Sequence, residues 1–359
     1  MGQGNCGIWC NRRVSLPDFC GLHFPQIFLK ESAMTQAKVI RIHEFGGPEV
    51  MGLESINLAA PAAGEACVKQ HAIGFNFIDI YQRRGVYPMP LPSGIGHEAA
   101  GVVEAVGAAV TDLRVGDRVV YMNAGIGAYA DRRNVVAEKL VKLPDAISFD
   151  DAAAIFFKGM TAQYLLRKTH AVQAGEIVLV HAAAGGVGQI LCRWAKSLGA
   201  YVVGTAGSTA KCAIARAAGC DVALDYSQDD WPAQMLAATG GKKARVVYDS
   251  VGQHTFLKSL DCAAPFGRVV VYGAASGPAP AIDPELLNKK GGLFLTRPSV
   301  FPHNADVKIF RANAAEVFAA VAVGEVCANI GARFKLADAA AAHAAAESRV
   351  ISGAILLEP

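Results

Sequence analysis

The chain has 359 residues, of which 52% are hydrophobic and 18% are charged, and 34 basic against 31 acidic side chains give a formal net charge of +3. This composition excludes an intrinsically disordered chain, and a charge so near zero argues against nucleic-acid and membrane-surface partners. No apolar run reaches the roughly 18 residues that a membrane-spanning helix needs. We therefore expect a soluble, cytoplasmic globular protein, whose length favours two domains.

The first 33 residues differ from the rest of the chain in composition. They contain Cys6, Cys10 and Cys20, three of the nine cysteines, and no periodic pattern of apolar residues. They lack the uninterrupted apolar stretch of a secretory signal, and their cysteine spacing fits no structural zinc site. We predict a disordered extension, with Met34 opening the folded chain. The odd cysteine count and the lack of a C-x-x-C pair favour free, buried thiols.

From Lys38 to about Leu143 the sequence predicts short strands separated by glycine and proline. The predicted strands are 38–42, 66–73, 101–106 and 118–121. Short strands divided in this way are typical of a small, barrel-like β unit.

The pattern changes near Asp150, where predicted helices begin to alternate with apolar strands. A helix is predicted over 149–168. The strands that follow are 177–180, 201–204, 222–224, 246–248 and 268–272, and the helices between them are 187–198, 209–218, 230–238 and 255–263. Near-continuous apolar strands in such an alternation indicate an α/β fold with a doubly wound parallel sheet covered on both faces. Helices at 312–322 and 337–348 and a strand at 351–357 complete the chain, and we expect this tail to return to the first unit.

The strongest chemical signal is the run from Ile177 to Gly188, in which a strand leads into a glycine-rich turn that opens a helix. Such a turn lets the backbone approach a pyrophosphate, whose charge the helix N-terminus stabilises. In the fingerprint G-x-G-x-x-G, Ala183 stands in place of the first glycine. Because the turn lies inside a repeated βα pattern, we predict a dinucleotide site. The alternative is a close-packed βα turn without a ligand.

The end of the second strand indicates which dinucleotide binds. An NAD site has an acidic residue there for the ribose 2′-hydroxyl. Residues 205–209 contain none, and Lys211 follows. Hydroxyls and an ammonium favour a 2′-phosphate, so we predict NADPH, with Tyr226 as a further hydroxyl. The alternative for Lys211 is an ordinary solvated helix lysine.

Gly96-His97-Glu98 is similar to a segment of zinc-dependent alcohol dehydrogenases, but the cysteines that such enzymes add are missing here. Residues 74–79, which precede the segment, contain no cysteine, and neither do the residues after Val119 where a structural zinc lobe would lie. A catalytic zinc needs three protein ligands. We therefore expect no metal, and we interpret His97 and Glu98 as structural.

Eight short motifs between Lys38 and Pro359 point to one known family. They occupy 45–50, 74–81, 84–88, 116–119, 158–162, 182–188, 247–252 and 296–298. Together they resemble the zinc-independent, zeta-crystallin-like quinone oxidoreductases of the medium-chain dehydrogenase/reductase superfamily, in particular the bacterial NADPH:quinone reductases. The chain departs from that branch at His97, where a small or polar residue is usual, and at Ala274, where asparagine is expected.

The resemblance implies an inserted domain. Residues 34–158 and 298–359 would form a GroES-like catalytic domain, and residues 159–297 a Rossmann NADPH-binding domain between them. It further implies a small-molecule quinone in the interdomain cleft and a homodimer whose interface includes the strand near 291–296.

The resemblance also implies the residues of the site. Asn76, Asp79, Tyr81 and Tyr87 are the expected polar groups of the substrate pocket and the candidate catalytic residues. We hypothesise that Asn76 and Tyr81 line its carbonyl end; alternatively Asn76 caps a turn and Tyr81 packs at the cleft. The expected cofactor-binding residues are Phe77, Ile78, Asp79, Tyr81, Tyr164, Gly186, Val187, Gly188, Gln189, Ile190, Gly207, Ser208, Lys211, Tyr226, Ser250, Ala274, Ala275, Ser276, Gly277, Arg297 and Arg349.

The function that these observations predict is reduction of a quinone by NADPH, by metal-free hydride or electron transfer. Three alternatives stay open: an enone or aldehyde reductase of the same fold, a non-catalytic NADPH-binding protein with a structural or RNA-binding role, and a zinc-dependent alcohol dehydrogenase. The lack of a basic stripe argues against RNA.

Overall fold

The computed structural model describes Met1 and residues 35–359, so the prediction for the N-terminal extension lies outside the described residues. None of the helices within that part of the chain is long and apolar enough to cross a bilayer.

Two antiparallel sheets contain the N-terminal strands. These strands, with one helix among them, are β1 (Thr35–Ile42), β2 (Gly52–Leu58), β3 (Glu65–Gly74), α1 (Phe77–Arg83), β4 (Ser93–Gly94), β5 (Glu98–Val106), β6 (Arg118–Met122), β7 (Arg132–Val136) and β8 (Leu140–Lys142). The first sheet has the order β2-β1-β4. In the second, β3 pairs with β5 and β7, and β5 continues through β6 to β8.

The middle of the chain forms a six-stranded parallel sheet. Its elements are α2 (Phe149–Tyr164), β9 (Ile177–Val180), α3 (Gly186–Ser197), β10 (Tyr201–Ala206), α4 (Thr209–Ala217), β11 (Val222–Asp225), α5 (Trp231–Ala238), β12 (Ala244–Asp249), α6 (Phe256–Cys262), β13 (Ala263–Val271), α7 (Glu285–Lys289) and β14 (Phe294–Thr296). The strand order is β11-β10-β9-β12-β13-β14. This is the order of a doubly wound dinucleotide-binding sheet, whose ligand binds where the order reverses.

The tail returns to the second sheet, where it adds one parallel pair of strands. It consists of α8 (Val300–His303), α9 (Val307–Ala322), β15 (Ile330–Lys335), α10 (Ala339–Glu347) and β16 (Ala354–Glu358). β16 pairs with β3 at Leu356 and Leu357, and β15 pairs with β16. Strands from both ends of the described chain therefore share one sheet, although the domain boundaries at 158 and 297 remain predictions.

Both faces of the parallel sheet are buried, as its apolar runs predict. On β9, Val178 and Val180 pack in the cluster that contains α2 and α3, whereas Leu179 packs in a separate cluster with Trp231 and Phe256 on the opposite face. A third cluster fills the antiparallel part of the molecule. The predicted doubly wound sheet is confirmed.

Several predicted elements need correction. The helix expected over 149–168 ends at Tyr164 and continues as one wider π-type turn to Thr169. The helix expected from Ala312 begins at Val307, because the Asp306 carboxylate accepts a hydrogen bond from the Ile309 amide and caps it. The prediction also missed β2, β7, β8 and β15, whose strands carry few buried apolar residues, and it missed the short helix α1.

Candidate active site

The glycine-rich turn lies between β9 and α3, where the sequence places it. A Cβ at Gly188 would lie 2.2 Å from the Ala182 carbonyl oxygen, so only glycine fits this close approach. The methyl group of Ala183, which replaces the first glycine of the fingerprint, packs on Gly204, where a Cβ would lie only 2.8 Å from it. Gly204, on the neighbouring strand, therefore leaves room for the methyl group of Ala183. Gly186 opens α3, whose first backbone N–H groups fit an anion such as a pyrophosphate.

A cleft runs from this turn past the ends of β10 and β11 to the segment that follows α10. Six of the expected cofactor residues line it: Phe77, Gly207, Lys211, Tyr226, Ala275 and Arg349. Sequence reasoning missed Ala346, Ile351 and Ser352, which line it as well. Only the return of the tail brings these three residues to the cleft, and no motif marks them.

Two cationic residues, Lys211 and Arg349, line the cleft. Lys211 Nζ donates to the backbone carbonyl oxygen of Arg349, and Arg349 Nη2 donates to the carbonyl oxygen of Ala275 at 2.7 Å. Burial and the neighbouring guanidinium lower the pKa of Lys211. Ser208 caps α4 by accepting from the Lys211 amide, and the Tyr226 hydroxyl rests against Gly207. Two like charges held side by side next to hydroxyls fit a 2′-phosphate, so these residues suit the expected NADPH.

An aromatic group lies on α1 and the loop after it; of its three rings, Phe77 lines the cleft, and Tyr81 and Tyr87 are not among the lining residues. Tyr81 meets Tyr87 edge to face with ring centroids 5.6 Å apart, and Phe77 lies beside Tyr81 at 6.2 Å. Arg297 Nη2 donates to the Tyr87 hydroxyl at 3.4 Å. Burial raises the pKa of Tyr81, although the nearby Ala274 amide and Arg297 oppose the effect. The Tyr81 hydroxyl therefore keeps its proton at neutral pH and is available as a hydrogen-bond donor.

Asn76 and Asp79 turn inward from the start of α1. The Asn76 side-chain nitrogen donates to Glu98 Oε1 at 2.8 Å, and its oxygen accepts from Lys158 Nζ at 3.2 Å. Asp79 is 0% exposed, and its carboxylate accepts hydrogen bonds from the backbone N–H of Asn76 and from the Tyr129 hydroxyl. Asp79 therefore contacts its own helix and the core, and it is not among the residues that line the cleft.

The other predicted residues divide into two groups. The residues at or next to the phosphate turn and on the loops at the strand ends are Gly186, Val187, Gly188, Gln189, Ile190, Ser250, Ala274, Ser276 and Gly277. Of the remaining two, Ile78 packs against the main apolar cluster, and Tyr164 is buried and stacks on His303 with centroids 4.5 Å apart. Neither these two residues nor those of the first group are among the residues that line the cleft, and the roles assigned to all of them stay predictions.

His97 and Glu98 both have protein partners. His97 Nε2 lies 2.9 Å from Gln82 Oε1, and burial lowers the pKa of His97 to about 4. Glu98 Oε1 lies 3.0 Å from Lys158 Nζ. Among the described residues, no group of three or more His, Cys, Asp or Glu side chains is arranged to hold a metal ion. The buried Glu98–Lys158 pair was missed from the sequence, although both residues lie in quoted motifs, because composition does not distinguish a buried charge from a surface charge.

Asp79 makes the stability of the protein depend on pH. Burial raises the pKa of its carboxyl from 3.8 to about 7, against the opposing hydrogen bonds from Asn76 and Tyr129. The folded protein then binds one more proton than the unfolded chain between about pH 4 and pH 7, so stability falls as pH rises through that window. Between about pH 4 and pH 7, we expect the free energy of unfolding of the wild type to fall by up to roughly 4 kcal/mol more than that of Asp79→Asn. Urea unfolding of both proteins at a series of pH values measures this. A difference in free energy of unfolding between them that does not change with pH would contradict it.

The comparisons with known proteins agree with this architecture. The family model "Alcohol dehydrogenase GroES-like domain" matches residues 62–145, and "Zinc-binding dehydrogenase" matches residues 186–303. The quinone oxidoreductase of Pseudomonas aeruginosa is 46% identical over 324 residues, which is 90% of this chain and 100% of the relative. A 2-haloacrylate reductase from a Burkholderia species is 42% identical over 326 residues, 89% of this chain and 98% of the relative.

A solved structure of a relative gives the same result. The crystal structure of Escherichia coli quinone oxidoreductase complexed with NADPH has a TM-score of 0.87 and 44% identity, and the match covers 90% of this chain and 100% of that one. The parallel sheet, its glycine turn and the GroES-like unit together define a medium-chain dehydrogenase/reductase. The chain belongs to the quinone oxidoreductase family within that class. The family resemblance and the fold class predicted from the sequence are therefore confirmed.

Proposed function

We propose that this protein is an NADPH-dependent reductase that reduces a quinone in the cleft beside the parallel sheet. The observation that carries the proposal is the pairing of Lys211 with Arg349 at the end of a strand that carries no acidic residue. Relatives named quinone oxidoreductases and a related structure with NADPH bound support the same conclusion.

The residues around the cleft fit this chemistry. NADPH, when bound, supplies the hydride. The turn before α3 and the Lys211–Arg349 pair hold the two phosphate regions of the cofactor, and Phe77 and Tyr87 offer aromatic faces to a flat substrate ring. One oxygen of a quinone gains negative charge as the ring is reduced. The Tyr81 hydroxyl and the Asn76 amide donate hydrogen bonds to that oxygen.

The proposed function also includes the expected partner, a second copy of this chain. β14 is the last strand of the parallel sheet within the described residues, and Phe294 on it is 57% exposed. Apolar side chains on such an edge suit pairing with a second copy. The homodimer and the cytoplasmic location stay predictions.

The test is NADPH oxidation by the purified full-length protein with a panel of quinones, enones, aldehydes and 2-haloacrylate. We expect a quinone to give the highest kcat/KM and NADPH to be preferred over NADH. Tyr81→Phe and Asn76→Ala are each expected to lower kcat/KM for 1,4-benzoquinone about 100- to 1,000-fold. Tyr201→Phe, at a half-buried tyrosine on β10 that is not among the residues lining the cleft, serves as the matched control. A preference for an enone or 2-haloacrylate would overturn the quinone assignment, and unchanged kinetics would overturn the two side-chain roles.

A further inference from the structure

A lysine and a glutamate are buried together beside the phosphate-binding turn. Lys158, on α2, is 6% exposed, and Glu98, which opens β5, is 0% exposed. Lys158 Nζ lies 3.0 Å from Glu98 Oε1. Removing two ions from water costs about as much as their attraction returns, so such a pair is weak evidence of stability. Its position next to the site calls for another explanation.

The Glu98 carboxylate is fixed in one orientation. Its Oε1 accepts from the Asn76 side-chain nitrogen and from Lys158, and its Oε2 accepts from the Phe157 backbone amide at 2.7 Å. Gly74 gives the carboxylate its space, because a Cβ there would lie 2.3 Å from Oε1. Three donors and one close backbone contact leave this carboxylate little freedom to rotate.

The pair determines the orientation of the Asn76 amide. An ammonium only donates and a carboxylate only accepts, so the Asn76 oxygen must face Lys158 and its nitrogen must face Glu98. If the amide were flipped, its nitrogen would face the Lys158 ammonium and its oxygen would face the Glu98 carboxylate. A donor would then oppose a donor, and an acceptor would oppose an acceptor. One N–H of Asn76 is used on Glu98, and no second acceptor for that nitrogen occurs within the described residues.

Lys158 also contacts the phosphate turn. A Cβ at Gly186, the first residue of α3, would lie 3.1 Å from Lys158 Cδ and 3.2 Å from Cε. The lysine stem thus packs on the turn that faces the pyrophosphate, while its ammonium holds the amide beside the proposed substrate pocket. This one side chain therefore connects the two ends of the site.

We propose that Lys158, together with Glu98, is a positioning residue that aims the second N–H of Asn76 at the quinone oxygen that gains negative charge. The cation on the amide oxygen draws electron density from the amide nitrogen and makes its remaining N–H a stronger donor. This role rests on the proposed function and on the placement of Asn76 in the substrate pocket.

The test variant is Lys158→Met combined with Glu98→Gln, which removes both charges together and so leaves no unpaired buried ion. We expect NADPH affinity, measured by fluorescence, to stay within about threefold of wild type. We expect kcat/KM for 1,4-benzoquinone to fall about 100- to 1,000-fold, the range for loss of an oxyanion donor. Lys308→Met, the same substitution at an exposed helix position, is the matched control and should change neither value.

Combination with Asn76→Ala separates positioning from a general structural role. If Lys158 acts through Asn76, adding Asn76→Ala to the charge-free variant lowers kcat/KM no further. Binding of 4-nitrophenolate, a stable anionic oxygen on a flat ring, should weaken in parallel, which gives a readout apart from turnover. Additive losses, unchanged kcat/KM or equal loss of NADPH affinity would each overturn the proposal. Failure of the proposed function itself is distinguishable, because wild type would then not reduce 1,4-benzoquinone.

Discussion

Replacing Arg349 with alanine is expected to weaken NADPH binding by about 10- to 100-fold and to leave NADH binding nearly unchanged. The guanidinium is held in the cleft by the Ala275 carbonyl oxygen, beside the Lys211 ammonium. Hydrogen bonds to charged groups contribute about 1.5–3 kcal/mol, and each 1.4 kcal/mol is tenfold in affinity. Only the 2′-phosphate distinguishes the two dinucleotides at this point, so the loss should be confined to NADPH.

Fluorescence titration of both dinucleotides measures the effect. Arg349 has a φ of +57°, a conformation that favours glycine, so Arg349→Gly separates backbone strain from charge. Both variants should lose the same NADPH affinity, although the glycine variant has the more relaxed backbone. Arg333→Ala, at a half-exposed arginine that pairs with Asp150, is the matched control. Equal losses for NADPH and NADH would show that Arg349 shapes the segment and does not select the phosphate.

Replacing Arg83 with methionine is expected to lower the free energy of unfolding by roughly 3–5 kcal/mol. Its side chain is fully buried, and Nη2 contacts both carboxylate oxygens of Glu347 at 3.0 Å. Nη1 lies 3.0 Å from His343 Nδ1, and Nε donates to the Gly46 carbonyl oxygen. Methionine fills similar volume but takes the donor away from the buried His343 ring and from the partly buried acceptors on Gly46 and Glu347, which accounts for the cost.

Arg84 offers a matched control at the next position. Arg84 also lies 3.0 Å from Glu347, but its side chain is 58% exposed, so Arg84→Met should cost less than about 1 kcal/mol. Urea unfolding of the two variants at one pH measures the contrast. Similar costs for both would mean that the Glu347 ion pair alone, and not the contacts of Arg83 with His343 and Gly46, sets the stability of this region.

Sequence patterns predict the parallel sheet well because its central strands are buried on both faces. Because predicted helices flank the apolar run at β9, that run is predicted to be a buried strand. β15 could not be found in this way, since its residues alternate between half-buried and exposed. α1 has only seven residues, too few to show a helical pattern. Its start depends on the hydrogen bond from the backbone N–H of Asn76 to the Asp79 carboxylate.

The candidate site shows the same division. Gly186 and Lys211 belong to local patterns with a physical reason for each residue, and the structure places them at the turn and in the cleft. The direction in which Asp79 points could not be predicted, because a carboxylate that caps its own helix and one that faces a cleft have the same local sequence. Lys158 and Glu98 meet only through tertiary packing of α2 against β5, which no local pattern encodes.

The pairing of β16 with β3 bears on how the protein is made. The chain leaves the ribosome from its N-terminus, so β9 to β14 are released in one continuous stretch and can pair during synthesis. β3 is released earlier than all of them, yet its partner β16 is released only after the whole parallel sheet. The Ile73–Gly74 end of β3, which β7 does not reach, thus lacks this partner until β16 is released. During synthesis this short end of β3 therefore offers unpaired backbone groups to other chains.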